Sequence, residues 1–266
     1  MARIMGIVNV TPDSFSDGGL FLDPERAIEH GRRLVAEGAD ILDVGGESTR
    51  PGAGPVGPEE ELARVEPVIE GLAGGPASIS IDTSKASVAG AALDRGASIV
   101  NDVTALRGDA ELASLCAERG CEVILMHMKG TPRTMQDNPT YDDVVDEVRA
   151  FLAERVDFGI AHGIEEARIW VDPGIGFGKT VLHNLELLRR LGELRELGRP
   201  IVVGSSRKGF IGDLTGRDVG DRLGGTVASS VLAVRAGADV VRVHDVAPHV
   251  QALRVADAIL APEAVR

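Results

Sequence analysis

A chain of 266 residues with 28 basic against 41 acidic residues and a net charge of -13 is a poor match for nucleic acid or an anionic membrane surface. No uninterrupted apolar stretch is long enough to span a bilayer, and Met1-Ala2-Arg3 enters the first apolar run without the succession of a signal peptide, so a cytoplasmic protein is expected. The length suits one α/β domain over residues 1–266, and the only two cysteines, Cys116 and Cys121, match neither zinc-ligand spacing nor a disulfide framework and read as buried thiols.

The first run, Met5-Gly6-Ile7-Val8-Asn9, turns at Val10-Thr11-Pro12 into a polar loop closed by Gly18-Gly19. A strand interior has no use for an amide, so Asn9 is a turn-former or a ligand donor. Asp23-Pro24-Glu25 then reads as a helix start and Gly38 as its close. Strand two, Ile41 to Val44, ends in the glycine-rich Gly45-Gly46-Glu47-Ser48-Thr49-Arg50-Pro51 before a helix that begins near Glu59. Strand three runs Ser78 to Asp82 with a helix over Lys85 to Arg95; strand four, Ile99 to Val103, precedes a helix over Asp109 to Arg119. Strand five, Glu122 to Met126, passes through His127 and Lys129 to a helix over Tyr141 to His162.

Ile169 to Val171 is strand six and leads into Asp172-Pro173-Gly174-Ile175-Gly176-Phe177-Gly178-Lys179. A leucine-rich helix follows, with Leu182, Leu185, Leu188, Leu191 and Leu194 three apart; most of that stripe reads as core, with a remainder that could face a second subunit. Ile201 to Val203 is strand seven, ending Gly204-Ser205-Ser206-Arg207-Lys208, and Val240 to Val243 is strand eight, ending His244-Asp245. Eight βα repeats fill the length as eight strands and eight helices. The expected fold is therefore a (β/α)₈ TIM barrel, with a doubly wound open sheet as the alternative.

Barrel enzymes work at the carboxyl ends of their strands, and those ends supply Asn9, Asp82, Asn101, Asp172, Lys208, Arg242 and His244, with Thr49 and Arg50 from the second loop. Carboxylates and amides suit a flat heterocycle, and basic groups suit phosphate oxygens. Each has a plainer reading. Asp82 before Thr83-Ser84 could cap a helix, and Asp172 before Pro173 could be a turn residue. Arg242 and His244 share one face of strand eight, and an inward face means a pocket. The remaining histidines, His30, His127, His162, His183 and His249, read as structural or surface. All four lysines, Lys85, Lys129, Lys179 and Lys208, fall just past strand ends and point to the rim. Gly174 to Thr180 looks like a phosphate-binding P-loop, but Pro173 stands where that loop needs its first glycine, so a nucleotide triphosphatase is disfavoured.

In order along the chain, Met5 to Gly19, Gly46-Glu47-Ser48-Thr49-Arg50-Pro51-Gly52-Ala53, Ile81-Asp82-Thr83, Asn101-Asp102-Val103, Met126-His127-Met128, Asp172 to Lys179, Ser206-Arg207-Lys208 and Val241-Arg242-Val243-His244-Asp245-Val246 resemble the dihydropteroate synthase family. The resemblance implies a barrel that joins 6-hydroxymethyl-7,8-dihydropterin diphosphate to p-aminobenzoate, releasing diphosphate with the help of Mg²⁺ in folate biosynthesis. It also implies a homodimer and competition by sulfonamides.

Carried over by position, Asp82, Asn101, Asp172, Lys208 and Arg242 resemble the pterin pocket. Asn9, Arg242 and His244 resemble the diphosphate site, with Asn9 the metal ligand. Thr49, Arg50, Pro51, Phe177, Ser206 and Lys208 resemble the walls around p-aminobenzoate. Asp82, Asp172, Lys208, Arg242 and His244 are then the catalytic set. The family usually has more chain before its first strand, which puts the cover of the lower barrel end in question. Loss of diphosphate before attack by the neutral arylamine needs no general base, and a carbocation must be kept from water, so the loops Thr11 to Gly19 and Gly46 to Gly57 are expected to order only around substrate. The rivals are a methyltetrahydrofolate-dependent methyltransferase, which needs no diphosphate contacts, and a pterin-binding paralogue without turnover.

Overall fold

Strands covered on both faces must be apolar throughout, and the apolar runs are where the strands form. The computed structural model describes residues 2–11, 23–48 and 54–262. Within them lie β1 (Arg3–Asn9), β2 (Ile41–Gly45), β3 (Ser78–Asp82), β4 (Ile99–Asp102), β5 (Glu122–Met126), β6 (Ile169–Asp172), β7 (Val202–Val203) and β8 (Val240–Val243). All pair in parallel in the order β6-β5-β4-β3-β2-β1-β8-β7. The two ends of that order meet: a parallel bridge joins Val171 to Ile201, and Val171 N donates to Pro200 O at 2.9 Å. That closure makes the sheet a (β/α)₈ barrel and rules out the open doubly wound alternative.

The helices are α1 (Pro24–Glu37), α2 (Pro58–Leu72), α3 (Ala86–Asp94), α4 (Leu112–Arg119), α5 (Val144–Ala161), α6 (Val181–Arg189), α7 (Gly209–Thr215), α8 (Leu223–Arg235) and α9 (Val246–Leu260). Local chemistry sets several ends. Asp23 accepts from Glu25 N at 3.0 Å ahead of Pro24, and Gly38, at φ 108°, closes α1 in the left-handed conformation. The expectation of eight helices is corrected: among the described residues there are nine, because the connection after β7 folds a short α7 of its own before α8. The leucine stripe is also not one helix. α6 stops at Arg189 and the chain continues as a 3₁₀ turn over Leu191–Leu197, whose period of three is the spacing the leucines show. Leu187, Leu191 and Leu194 are core, while Leu182 is exposed.

Alternation along the strands divides the barrel interior into layers. Met5, Ile41, Ile99, Ile124, Trp170, Val202 and Val240 form one buried apolar cluster, one residue from every strand but β3. This layer fills the lower end from within, with Trp170 its largest member, and the Arg3 guanidinium lies 4.4 Å from the Trp170 ring centroid. Two residues further along the same strand faces, the interior becomes polar: Asp43, Asn101, Asp172 and Arg242. No helix among the described residues is long and apolar enough to cross a membrane.

Candidate active site

Above the polar layer opens a cavity of about 570 Å³. Of the residues singled out from the sequence, Asn9, Asp82, Phe177, Ser206, Lys208, Arg242 and His244 line it. Asn101 and Asp172 are buried beside it, at 5% and 6% exposure. Thr49, Arg50 and Pro51 lie outside the described residues, as do residues 12–19 of the first loop expected to order around substrate and 49–53 of the second.

Arg242 is the hub. Its Nε donates to Asp43 Oδ2 at 2.6 Å and its Nη2 to Asp82 Oδ2 at 2.8 Å, so it points inward. Asp82 therefore pairs with a cation 160 positions away and does not cap α3. Burial pushes the Asp82 carboxyl up to about 7, with Arg242 pulling it down and the Asp43 charge pushing it further up. Burial works against the Arg242 charge too, but Asp43 and Asp82 outweigh that and hold the guanidinium above its ordinary range. Arg242 is thus a fixed cation, while the Asp82 proton is easily exchanged near neutrality.

Asp172 combines both readings given to it. Its Oδ1 accepts from Gly174 N at 2.7 Å, which is the turn role, and its carboxyl, raised by burial, lies in the fields of Lys208, Arg242 and Lys179. Lys208 Nζ stands 4.0 Å from the Phe177 ring centroid. Ser206 Oγ and His244 Nδ1 are 2.9 Å apart, joining the end of β7 to the end of β8.

The inference that every lysine serves the rim is corrected. Lys208 and Lys179 line the cavity, but Lys85 pairs with Glu47 and Glu61, and Lys129 packs over Tyr141 and pairs with Glu147. Lys179 is turned into its own loop: Nζ donates to Phe177 O at 2.9 Å and Gly174 O at 3.0 Å, and lies 2.8 Å from His127 Nδ1. Burial drives its pKa well below the usual lysine range. The P-loop likeness fails structurally as well as by spacing. The turn needs its glycine, since at Gly174, φ 66°, a Cβ would sit 1.9 Å from His127 O.

The sequence inspection missed Asp43. It is fully buried in β2 and touches Arg242 and also Asn101, whose Nδ2 donates to Asp43 Oδ2 at 3.1 Å. A signal was there: a carboxylate inside an apolar strand of a parallel sheet must meet a cation or donors. Asp102 stands in the Asn101-Asp102-Val103 motif. It is equally buried, and its carboxylate takes Thr104 N at 2.7 Å and Leu106 N at 2.6 Å, shaping the turn that ends β4 at Asp102 instead of Val103.

For a metal, the described residues hold no group of three His, Cys, Asp or Glu able to bind one. Asn9 offers one amide oxygen at the cavity wall. One neutral amide oxygen is compatible with Mg²⁺, which keeps several waters and takes substrate phosphate oxygens into its shell.

Comparison with known proteins agrees with this geometry. Residues 5–244 match the model of the family described as pterin binding enzyme. The chain is 49% identical over 261 residues to the dihydropteroate synthase of Neisseria meningitidis serogroup C, covering 97% of this chain and 92% of that one. Among solved structures, a Yersinia pestis dihydropteroate synthase with a sulfonamide drug complex superposes with a TM-score of 0.95 at 42% identity, covering 98% of this chain and 94% of that one. A Xanthomonas albilineans dihydropteroate synthase with 4-aminobenzoic acid gives a TM-score of 0.91 at 51% identity, covering 98% and 93%. With the strand-end residues gathered at one mouth and the match running nearly end to end, the chain belongs to the pterin-binding enzymes, and within them to the dihydropteroate synthases.

Proposed function

We propose that this chain condenses 6-hydroxymethyl-7,8-dihydropterin diphosphate with p-aminobenzoate to give 7,8-dihydropteroate and diphosphate, as a transferase of folate biosynthesis. The carrying observation is Arg242, pinned by two carboxylates in a cavity whose wall also presents Lys208 over Phe177. Asp82, Asn101, Asp172 and Lys208 hold the pterin by its edge, and Arg242 lies against the ring. Asn9, Arg242 and His244 take the diphosphate, and Ser206, Lys208 and Phe177 meet p-aminobenzoate together with Thr49, Arg50 and Pro51.

The bond to break joins a methylene carbon to diphosphate, and the electron-rich pterin can spread the positive charge left on that carbon. Diphosphate departs first in this scheme. Arg242 and His244 stabilise the charge growing on it, while Asp82 and Asp172 offset the charge on the pterin. Asn9 would hold Mg²⁺, which would supply further charge neutralisation to the departing diphosphate. The arylamine is neutral at pH 7 and attacks without a dedicated base.

Incubating the purified protein with both substrates and Mg²⁺ is expected to yield dihydropteroate. No product would sink the assignment and leave a binding-only paralogue. Cleavage of the pterin diphosphate without arylamine supports departure first, and strict dependence on arylamine overturns it. A methyltransferase would instead turn over a methylated folate and leave the diphosphate untouched.

The subunits are proposed to pair through α6, α7 and α8, which carry the exposed Leu182 (75%), Leu214 (58%) and Leu232 (63%). Light scattering at a monomer mass across micromolar concentrations would refute a dimer. The cytoplasm, where buried free thiols such as Cys116 and Cys121 stay reduced, is the proposed location.

A further inference from the structure

Asp43 does not line the cavity, yet it ties together two residues of the proposed pterin pocket. One oxygen, Oδ2, accepts from both Arg242 Nε at 2.6 Å and Asn101 Nδ2 at 3.1 Å. The residues come from β2, β8 and β4, and Asp43 itself is 0% exposed. Asp82 takes a different nitrogen of the same guanidinium, Nη2. A guanidinium held through one N–H can still swing about its long side chain, whereas one held through two nitrogens by two separate carboxylates keeps its plane. An amide held at Nδ2 likewise has its oxygen direction decided. Asp43 Oδ1 has no hydrogen-bond partner among the described residues, and neither does the hydroxyl of Ser80, its neighbour across the β2–β3 ladder. All of the hydrogen bonding of this buried carboxylate is therefore committed to Arg242 and Asn101.

We propose that Asp43 is a positioning residue, fixing the plane of the Arg242 guanidinium and the orientation of the Asn101 amide before the pterin arrives. This deepens the proposed function and rests on it. Orienting both groups in the free protein spares the substrate the cost of ordering them, so the loss should fall on the pterin and on diphosphate departure, and not on the arylamine.

The test is Asp43→Asn, which keeps the shape and removes the charge, compared with wild type that first makes dihydropteroate. Calorimetric affinity for 6-hydroxymethylpterin is expected to fall about tenfold or more, with a parallel loss in kcat, while KM for p-aminobenzoate stays within about twofold. Pterin affinity within about twofold of wild type would overturn the proposal, as would equal losses for both substrates. Should Asp43→Asn fail to fold, nitrogen-15 arginine-labelled wild type decides. The Arg242 Nε-H signal, identified by its loss in Arg242→Lys, is expected to exchange slowly with water and to hold its position when 6-hydroxymethylpterin is added. Fast exchange, or a shift to a new position on binding, would overturn the pinning. A wild-type protein that makes no product but shows the slow Nε-H would defeat the function and leave the geometry standing.

Discussion

Arg207 meets Asp245 edge to edge, Nε to Oδ2 at 3.1 Å and Nη2 to Oδ1 at 2.8 Å, across 38 positions of sequence. Arg207 holds this pose at φ 57°, a left-handed conformation that costs a non-glycine residue about 1 kcal/mol. Its N donates to Thr226 Oγ1 at 3.1 Å. The strained residue lies between Ser206 and Lys208, which both line the cavity, and Asp245 follows His244 directly. The pair thus clamps the end of β7 to the end of β8.

Breaking the clamp should cost activity before it costs the fold. Asp245→Asn is expected to lower kcat/KM about tenfold and stability by about 1–2 kcal/mol, since the pair is partly buried and bidentate. Arg207→Gly should be more stable than Arg207→Ala by about 1 kcal/mol, because glycine relieves the positive φ. Urea unfolding of the two variants checks the order, and equal midpoints would contradict the strain.

Asp82 should appear in the pH dependence of catalysis. Its carboxyl is raised to about 7, first by burial, so the free enzyme gains its carboxylate only as pH climbs toward neutrality. The expected kcat/KM for the pterin diphosphate rises across that range, and Asp82→Asn removes the rise together with about a hundredfold of activity. A flat wild-type profile between pH 5.5 and 8 would speak against the role.

His127 should make the fold acid-sensitive. Burial first, then Lys179 and Arg107, lower its pKa from 6.5 to about 2. Between those values the unfolded chain holds a proton on this ring that the native state does not. Stability from this site therefore rises with pH through the window and is lost on acidification below 6.5, by up to about 1.4 kcal/mol per pH unit. Comparing urea midpoints of wild type and His127→Gln at pH 5 and pH 7 isolates the contribution, and parallel slopes would exclude it.

Lys85 joins Glu47 to Glu61, whose side chain is 0% exposed. Removing the cation leaves that buried carboxylate without its counter-charge, and Lys85→Met is expected to destabilise the protein by about 3–5 kcal/mol. Adding Glu61→Met should restore much of the loss, because two apolar groups replace an uncompensated charge. A double variant no more stable than the single one would show that the ion pair is not the cause.

What lay in the sequence was everything with a short period. Strand faces repeat every two residues, caps are set by neighbours, and the polar residues at strand ends stand where the apolar runs stop, so the barrel and most of its mouth could be read locally. The resemblance carried this further, to roles. Pairing between strands far apart in sequence decided the rest. Asp43 finds Arg242 across 199 positions only when the first and last strands of the chain come side by side, and no local pattern encodes that distance. Lys179 likewise looks like a phosphate lysine until the fold buries it against His127 and its own loop carbonyls. Charge states belong to the same category, because burial and long-range partners set them: a carboxyl near 7 at Asp82 and a histidine near 2 at position 127 follow from what the closed barrel packs around each group.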